Sequence, residues 1–270
     1  MESGNPMTPS GKAERDIAET LRQLRLVMTG LQVAGIEDWA AAWSRPAVGL
    51  PEPEKAIEQE QDPAGGLTVI AGELEGCRRC RLHSERTRIV FGEGSARAPL
   101  VFVGEGPGLE EDRQGRPFVG RAGRLLDQMI KALGFRREAV YICNVVKCRP
   151  PKNRTPESEE IARCGPFLIR QIEAIRPRVI CALGACAAQT LVGTGSSISR
   201  LRGSVHYWRG IPLICTFHPA YLLRTPAQKA AAWEDLILVR DILRTGCVQD
   251  GGIGREGMKP SPTSDRHIGP

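Results

Sequence analysis

Four cysteines stand where thiolate chemistry can be built. Cys77 and Cys80 form a C-x-x-C in the Arg-rich turn CRRCRLH, Cys148 stands in NVVKCRPP, and Cys164 follows 16 positions later. Four thiols in loops or at a helix edge make a four-thiolate site, which suits either zinc or an iron–sulfur cluster. A lone C-x-x-C also serves as a redox pair, but that version opens a helix after a strand, which this one does not. Of the other five cysteines, Cys143, Cys181 and Cys215 lie in apolar runs, where a free thiol is a small buried hydrophobe; Cys186 and Cys247 complete the nine. A second set of residues follows apolar runs. GEGPG at 104–108 is a glycine-rich turn that brings backbone N–H groups close to a ligand. It is neither G-x-G-x-x-G nor a P-loop with its lysine, so a nucleotide phosphate is not indicated. Asn144 ends another run, ahead of the basic stretch 148–154, and His218 opens HPAYLLR after a third.

These residues need elements to hold them. Four short apolar runs, 99–104, 140–146, 178–184 and 211–217, read as strands. Helical patterns cover 120–134, closed by Gly134, and 155–175, opened by Thr155, Pro156 and the acids up to Glu160; a short helix follows 184, and another covers 226–244. Continuous apolar strands alternating with helices predict an α/β domain whose parallel sheet is covered on both faces. Ligands in such sheets sit beyond the carboxyl ends of the strands, so 104–118, 144–154, 184–186 and 218–224 are the loops expected to carry the site.

The core is expected over 67–245. Before it, residues 14–43 show helical spacing in Ile17, Leu21, Leu24, Val27, Met28 and Leu31, and 45–66 reads as an acidic, proline-rich linker, so 1–66 forms an extension. The Gly- and Pro-rich tail, 246–270, is expected to be disordered. The 270 residues carry a net charge of +6 with 30 Arg and only 7 Lys, a bias toward planar contacts with phosphates or carboxylates. No apolar run reaches the ~20 residues of a membrane helix, and the polar start MESGNPMTPSGKAERD has no secretory h-region. A cytoplasmic, reducing location is therefore expected, which favours ligation over disulfides.

Taken together, the segments closely resemble the family 4 uracil-DNA glycosylases, the iron–sulfur branch of that superfamily. The resemblance covers about 67–245. It rests on GEGPG-x-x-ED-x-x-G-x-PFVG at 104–120, NVVKCRPP-x-NR at 144–154, HPAYLLR at 218–224 and the four cysteines. It implies a three-layer α/β/α domain with a central four-stranded parallel sheet, and a [4Fe–4S] cluster held by Cys77, Cys80, Cys148 and Cys164. The implied reaction hydrolyses the bond joining uracil to deoxyribose in DNA. By the resemblance Phe118 stacks on the base, Asn144 reads its O4 and N3 edge, and His218 donates to O2 as the uracil anion departs. Glu105 is the carboxylate expected to position water, Gly106 offers its backbone N–H, and Glu111 stands behind them, or else is a solvated acid between Glu110 and Asp112. The expected partner is uracil-containing DNA, single- or double-stranded, met by a monomer through Arg-rich loops around Cys77 and Cys148, including Arg149. Leu222 or Leu223 would wedge into the vacated stack and Arg224 would meet a phosphate, unless both leucines are core.

Two rival readings differ in testable ways. A non-catalytic iron–sulfur DNA-binding protein would need the cysteines but not Asn144 and His218 together. A superfamily branch that attaches covalently to abasic DNA resembles KRRIH in a loop before the last strand; here that stretch, GTGSSISRLRGSVHYW at 193–208, lacks the motif, so turnover is favoured. The N-terminal extension reads as a tether for a protein partner that the sequence does not identify.

Overall fold

The computed structural model describes residues 62–245. The expected helix over 14–43, most of the linker and the tail from 246 lie outside these residues. The chain begins with α1 (Pro63–Leu74), capped by the Asp62 carboxylate accepting from the Ala64 N–H. Residues 63–66, assigned to the linker by their composition, are thus the first turn of a helix. Its buried residues Leu67, Ile70 and Leu74 recur every three or four positions.

Six strands form one sheet: β1 (Glu93–Gly94), β2 (Leu100–Gly104), β3 (Tyr141–Asn144), β4 (Val179–Leu183), β5 (Val205–Trp208) and β6 (Ile211–Thr216). Their order is β1-β3-β2-β4-β6-β5. The four inner strands are the ones expected, and they pair in parallel. The sheet is wider than expected because antiparallel β1 and β5 close its two edges. The first has two residues and the second carries polar side chains, so neither shows an apolar run.

The helices are α2 (Leu109–Gln114), α3 (Arg121–Ala132), α4 (Ser158–Ile175), α5 (Ala185–Val192), α6 (Ile198–Leu201), α7 (Pro219–Arg224) and α8 (Lys229–Thr245). Side chains alternate across the sheet and build two cores. Val101, Val103, Ile180 and Leu213 meet α1, α4 and α5 on one face. Leu100, Phe102, Ile142 and Ile214 meet α3, α7 and α8 on the other. Both faces are covered, which is why the strands read as unbroken apolar runs. Each fully buried Leu, Ile or Phe contributes ~1.5–3 kcal/mol. Cys143, Cys181 and Cys215 belong to these cores, as their sequence context predicts. No described helix is long and apolar enough to cross a membrane.

Parallel pairing sends all four inner strands toward one end, and β2 lies between β3 and β4. The chain leaves β2 to one side for β3 and returns to the other for β4. That switch opens a crevice at the carboxyl ends of the strands.

Candidate active site

The crevice holds a cavity of about 470 Å³. Glu105, Gly106, Glu111, Phe118, Asn144 and His218 all line it, so the fold gathers six residues from three segments, the one that follows β2, the end of β3 and the turn after β6. Packing at β2 is tight: a Cβ on Gly104 would run into Asn144 Oδ1 and the Phe118 ring. Only glycine lets these two side chains meet.

Asn144 ends β3 and is 1% exposed. Its Oδ1 is buried and has no hydrogen-bond partner among the described residues. A buried carbonyl oxygen with no donor among the described residues is open to a hydrogen bond from a group bound in the cavity.

Phe118 is 6% exposed and adopts a left-handed backbone, φ 50°. Three supports impose this conformation. The Glu111 carboxylate accepts from Val119 N–H and Gly120 N–H at 2.9 Å each, and from Gly108 N–H at 3.1 Å. Arg137 donates to the Pro117 carbonyl at 2.6 Å while also bonding Glu93 and Asp127. Gly123 of α3 lies so close that a Cβ would strike the Phe118 carbonyl. Glu111 is therefore no solvated acid: both its oxygens are committed to backbone, and it positions the Phe118 loop.

The Phe118 and His218 rings stack with centroids 5.6 Å apart and planes at 29°. His218 is the N-cap of α7, and its Nδ1 accepts from Ala220 N–H at 3.1 Å. Accepting there places the proton of the neutral ring on Nε2. Burial, aided by the Arg224 charge and opposed by Glu111, lowers the ring's pKa to about 4. His218 is thus a neutral Nε2–H donor at physiological pH. Gly184, at φ +90°, makes room for it, since a Cβ there would come within 2.9 Å of the His218 Cβ. Burial pushes the Glu105 carboxyl above the usual carboxylate range, and its side chain has no hydrogen bond to any described residue. The Gly106 N–H is likewise unpaired among them.

The four cysteines also converge. Cys77, Cys80, Cys148 and Cys164 border one small cavity between α1 and α4. Arg86 donates to Cys148 Sγ at 3.3 Å and to the Cys77 carbonyl at 2.7 Å. The backbone N–H of Lys147 donates to Cys164 Sγ at 3.3 Å. Burial pushes the thiols of Cys80 and Cys164 up, and that of Cys148 up to about 11.

Comparison with known proteins agrees with this architecture. The model of the uracil DNA glycosylase superfamily matches residues 91–237. A type-4 uracil-DNA glycosylase of Thermotoga maritima is 55% identical over 165 residues, which cover 60% of this chain and 86% of that protein. One of Archaeoglobus fulgidus is 47% identical over 168 residues, covering 59% and 84%. The chain belongs to the uracil-DNA glycosylase superfamily, in its type-4 branch. A type-5 uracil-DNA glycosylase of Pyrobaculum aerophilum is more distant, 30% identical over 221 residues that cover 69% of this chain and 96% of that one.

The residues expected to meet DNA fare unevenly. Leu222 is 2% exposed and packs in the core beside α3 and α8, so it is not a wedge. The short helix α7 turns it inward and leaves its neighbour Leu223 partly exposed. Arg224 lines the cavity mouth. Arg149 is partly exposed and donates to Asn153 Oδ1 at 2.7 Å. Not all basic residues beside the cysteines are free. Arg81 and Arg154, from different loops, converge on the buried carboxylate of Glu160, which Arg154 grips through both its terminal nitrogens. Arg79 lies over the Phe167 ring, 4.6 Å from its centroid. Arg78, Arg88 and Lys152 remain exposed without an ion-pair partner among the described residues. Sequence reasoning did not single out Tyr221 and Arg154 as cavity residues. Tyr221 could have been found, being three residues after His218 on one helical turn.

Proposed function

We propose that this family member flips uracil out of DNA into the cavity and hydrolyses its N-glycosidic bond, leaving an abasic site for DNA repair. The observation that carries this reading is the buried, unpartnered Asn144 Oδ1 beside the stacked Phe118 and His218 rings. A carboxamide offers one acceptor and one donor, matching uracil N3–H and O4 and mismatching cytosine. Phe118 supplies the stacking face, and flipping costs a few kcal/mol of unstacking. As the C1′–N1 bond breaks, its electron pair moves into the uracil ring. His218 Nε2–H meets the charge that grows on O2. A neutral donor suits this step because it needs no proton transfer. The sugar becomes oxocarbenium-like; Glu105 faces it, orients the water that attacks C1′ and takes its proton. Gly106 N–H holds the base from the other side.

The cysteine site is read as the seat of a [4Fe–4S] cluster. Among the described residues no group of three or more His, Cys, Asp or Glu side chains is placed to hold a metal ion. Four thiols around a cavity suit a multi-iron group, in which each iron takes one thiolate, better than convergence on one point. Two N–H···S bonds, from Arg86 to Cys148 and from the Lys147 backbone to Cys164, suit sulfurs that carry thiolate charge toward a cluster. Such a cluster supplies no step of the hydrolysis; it ties the segment around Cys77 to that around Cys148 and α4. The exposed Arg78, Arg88 and Lys152 and the partly exposed Arg149 would then meet phosphates, with Leu223 at the vacated stack and Arg224 at the mouth. A cytoplasmic enzyme acting as a monomer fits this reading.

Single-turnover release of uracil from uracil-containing DNA tests it. The wild type should release uracil, and Asn144→Asp should slow release at least ~100-fold, because a carboxylate replaces the donor to O4 and sets like charge beside the departing anion. Turnover by Asn144→Asp within threefold of wild type would remove Asn144 from the reading role.

A further inference from the structure

Lys147 is 0% exposed, yet no carboxylate among the described residues pairs with it. A buried cation is costly unless its hydrogens are satisfied. Two of the three donors of an ammonium have specific partners here. Nζ donates to the main-chain carbonyl of Asn144 at 2.7 Å and to Gln171 Oε1 at 2.5 Å. Gln171 is in turn fixed, since its Nε2 donates to the Phe91 carbonyl and to the Tyr141 hydroxyl, both at 3.0 Å. The backbone of Lys147 is held too: its N–H bonds Cys164 Sγ, and its carbonyl accepts from Val90 N–H at 2.8 Å. Cys164 and Gln171 lie two turns apart on α4, and Cys148 is the next residue in the chain.

We infer that Lys147 is a positioning residue for base reading, a strut that carries the placement of the cysteine site and α4 to the end of β3. This inference rests on the assignment of Asn144 as the base reader. Two features make the strut necessary. Asn144 Oδ1 has no hydrogen-bond partner among the described residues, so the direction of the carboxamide is set by its main chain and by the close approach of Gly104. The main chain just beyond it is tied to the β2 side by Val145 N–H donating to the Gly104 carbonyl at 2.9 Å and Val146 N–H donating to the Glu105 carbonyl at 3.1 Å. The Asn144 carbonyl itself is held by Lys147 Nζ. The strut also explains a lysine in the core: an apolar residue of equal length would fill the space but hold neither oxygen. Misplacing a reacting group by ~1 Å costs on the order of 100-fold in rate.

The test is a double-mutant cycle on the full chain, with Asn144→Ala and Lys147→Met, which keeps length and volume. Lys147→Met should keep the visible absorbance and iron content of the wild type and its affinity for abasic-site DNA within threefold. It should slow single-turnover uracil release ~10- to 100-fold. In the Asn144→Ala background the same change should slow release by less than threefold, because the group it positions is gone. Gln171→Met, which breaks the strut from the other side, should reproduce the pattern and serves if Lys147→Met does not fold. An equal loss in both backgrounds, or loss of absorbance together with rate, would overturn the assignment. So would the failure of both variants to fold, which would make the network a fold support. Wild-type rate in Asn144→Ala itself would instead refute the reading of the site, an outcome the cycle separates.

Discussion

At the scale of single residues, protonation decides what the site can do. His218 keeps its neutral, Nε2–H form until the pH falls to about 4. Uracil release should therefore show no loss near pH 6.5, where an ordinary histidine titrates. Glu105, raised by burial, should define the acid limb, with rate falling as pH drops through a midpoint above the usual carboxylate range. Single-turnover rates from pH 4.5 to 8 on wild type and Glu105→Gln check this: the variant should be slow and flat across the limb. His218→Ala should lose ~10²–10³-fold in rate, the effect of removing one donor to a developing anion, while abasic-DNA affinity stays within threefold. The same ring bears on stability. The unfolded histidine takes its proton near pH 6.5 and the folded one only near 4, so acidification through that window favours the unfolded state. His218→Ala should show a shallower fall in melting temperature between pH 6.5 and 4.5.

Elements present these residues, and the loops between them are held more tightly than their polar composition suggests. The Phe118 loop is anchored by the Glu111 carboxylate, by Arg137 and by contact with Gly123. Gly123→Ala forces a methyl group into the Phe118 carbonyl. It should cut uracil release more than tenfold and lower stability by ~1–3 kcal/mol, read from single-turnover rate and chemical denaturation. The helix α7 makes a second distinction. Leu222→Ala should cost ~2–5 kcal/mol of stability by opening a cavity against α3 and α8, with abasic-DNA affinity unchanged. Leu223→Ala should barely move stability and should weaken binding to duplex uracil DNA. Equal behaviour of the two variants would contradict the inward turn of Leu222.

Across the whole molecule, two sites share one scaffold. The cysteine cavity lies under α4, and the base cavity opens at the strand ends. Between them run Lys147, Gln171 and the Glu160 carboxylate that gathers Arg81 and Arg154. Removing a thiol should therefore be felt beyond its own cavity. Cys148→Ser should lose iron, visible absorbance and several degrees of melting temperature together, because ligand-binding energy is also folding energy. Stoichiometric zinc with no iron in anaerobically purified protein would contradict the cluster assignment. Abasic-DNA affinity should fall steeply with salt, and Arg78→Ala should lower the slope of log K against log salt by ~1.

Sequence alone determined the inner strands, the helices α3, α4 and α8 and the six cavity residues, because apolar runs and ordered motifs are local facts about the chain. Burial on both faces leaves a continuous apolar record in each inner strand. The edges leave none: β1 is two residues long and β5 alternates with polar side chains. Residues 63–66 read as linker because their glycines and proline weigh against helix, yet Asp62 caps them and Leu67, Ile70 and Leu74 find a core. Other properties exist only between distant residues. Leu222 and Leu223 are equivalent in sequence, and only the docking of α7 separates core from surface. Glu111 stands among acids, and only the fold brings three backbone N–H groups to its carboxylate. Asn144 and Lys147 lie three apart, yet whether an amide is left unpaired or an ammonium finds its carbonyls is decided by packing, since desolvation depends on everything that surrounds a group in space.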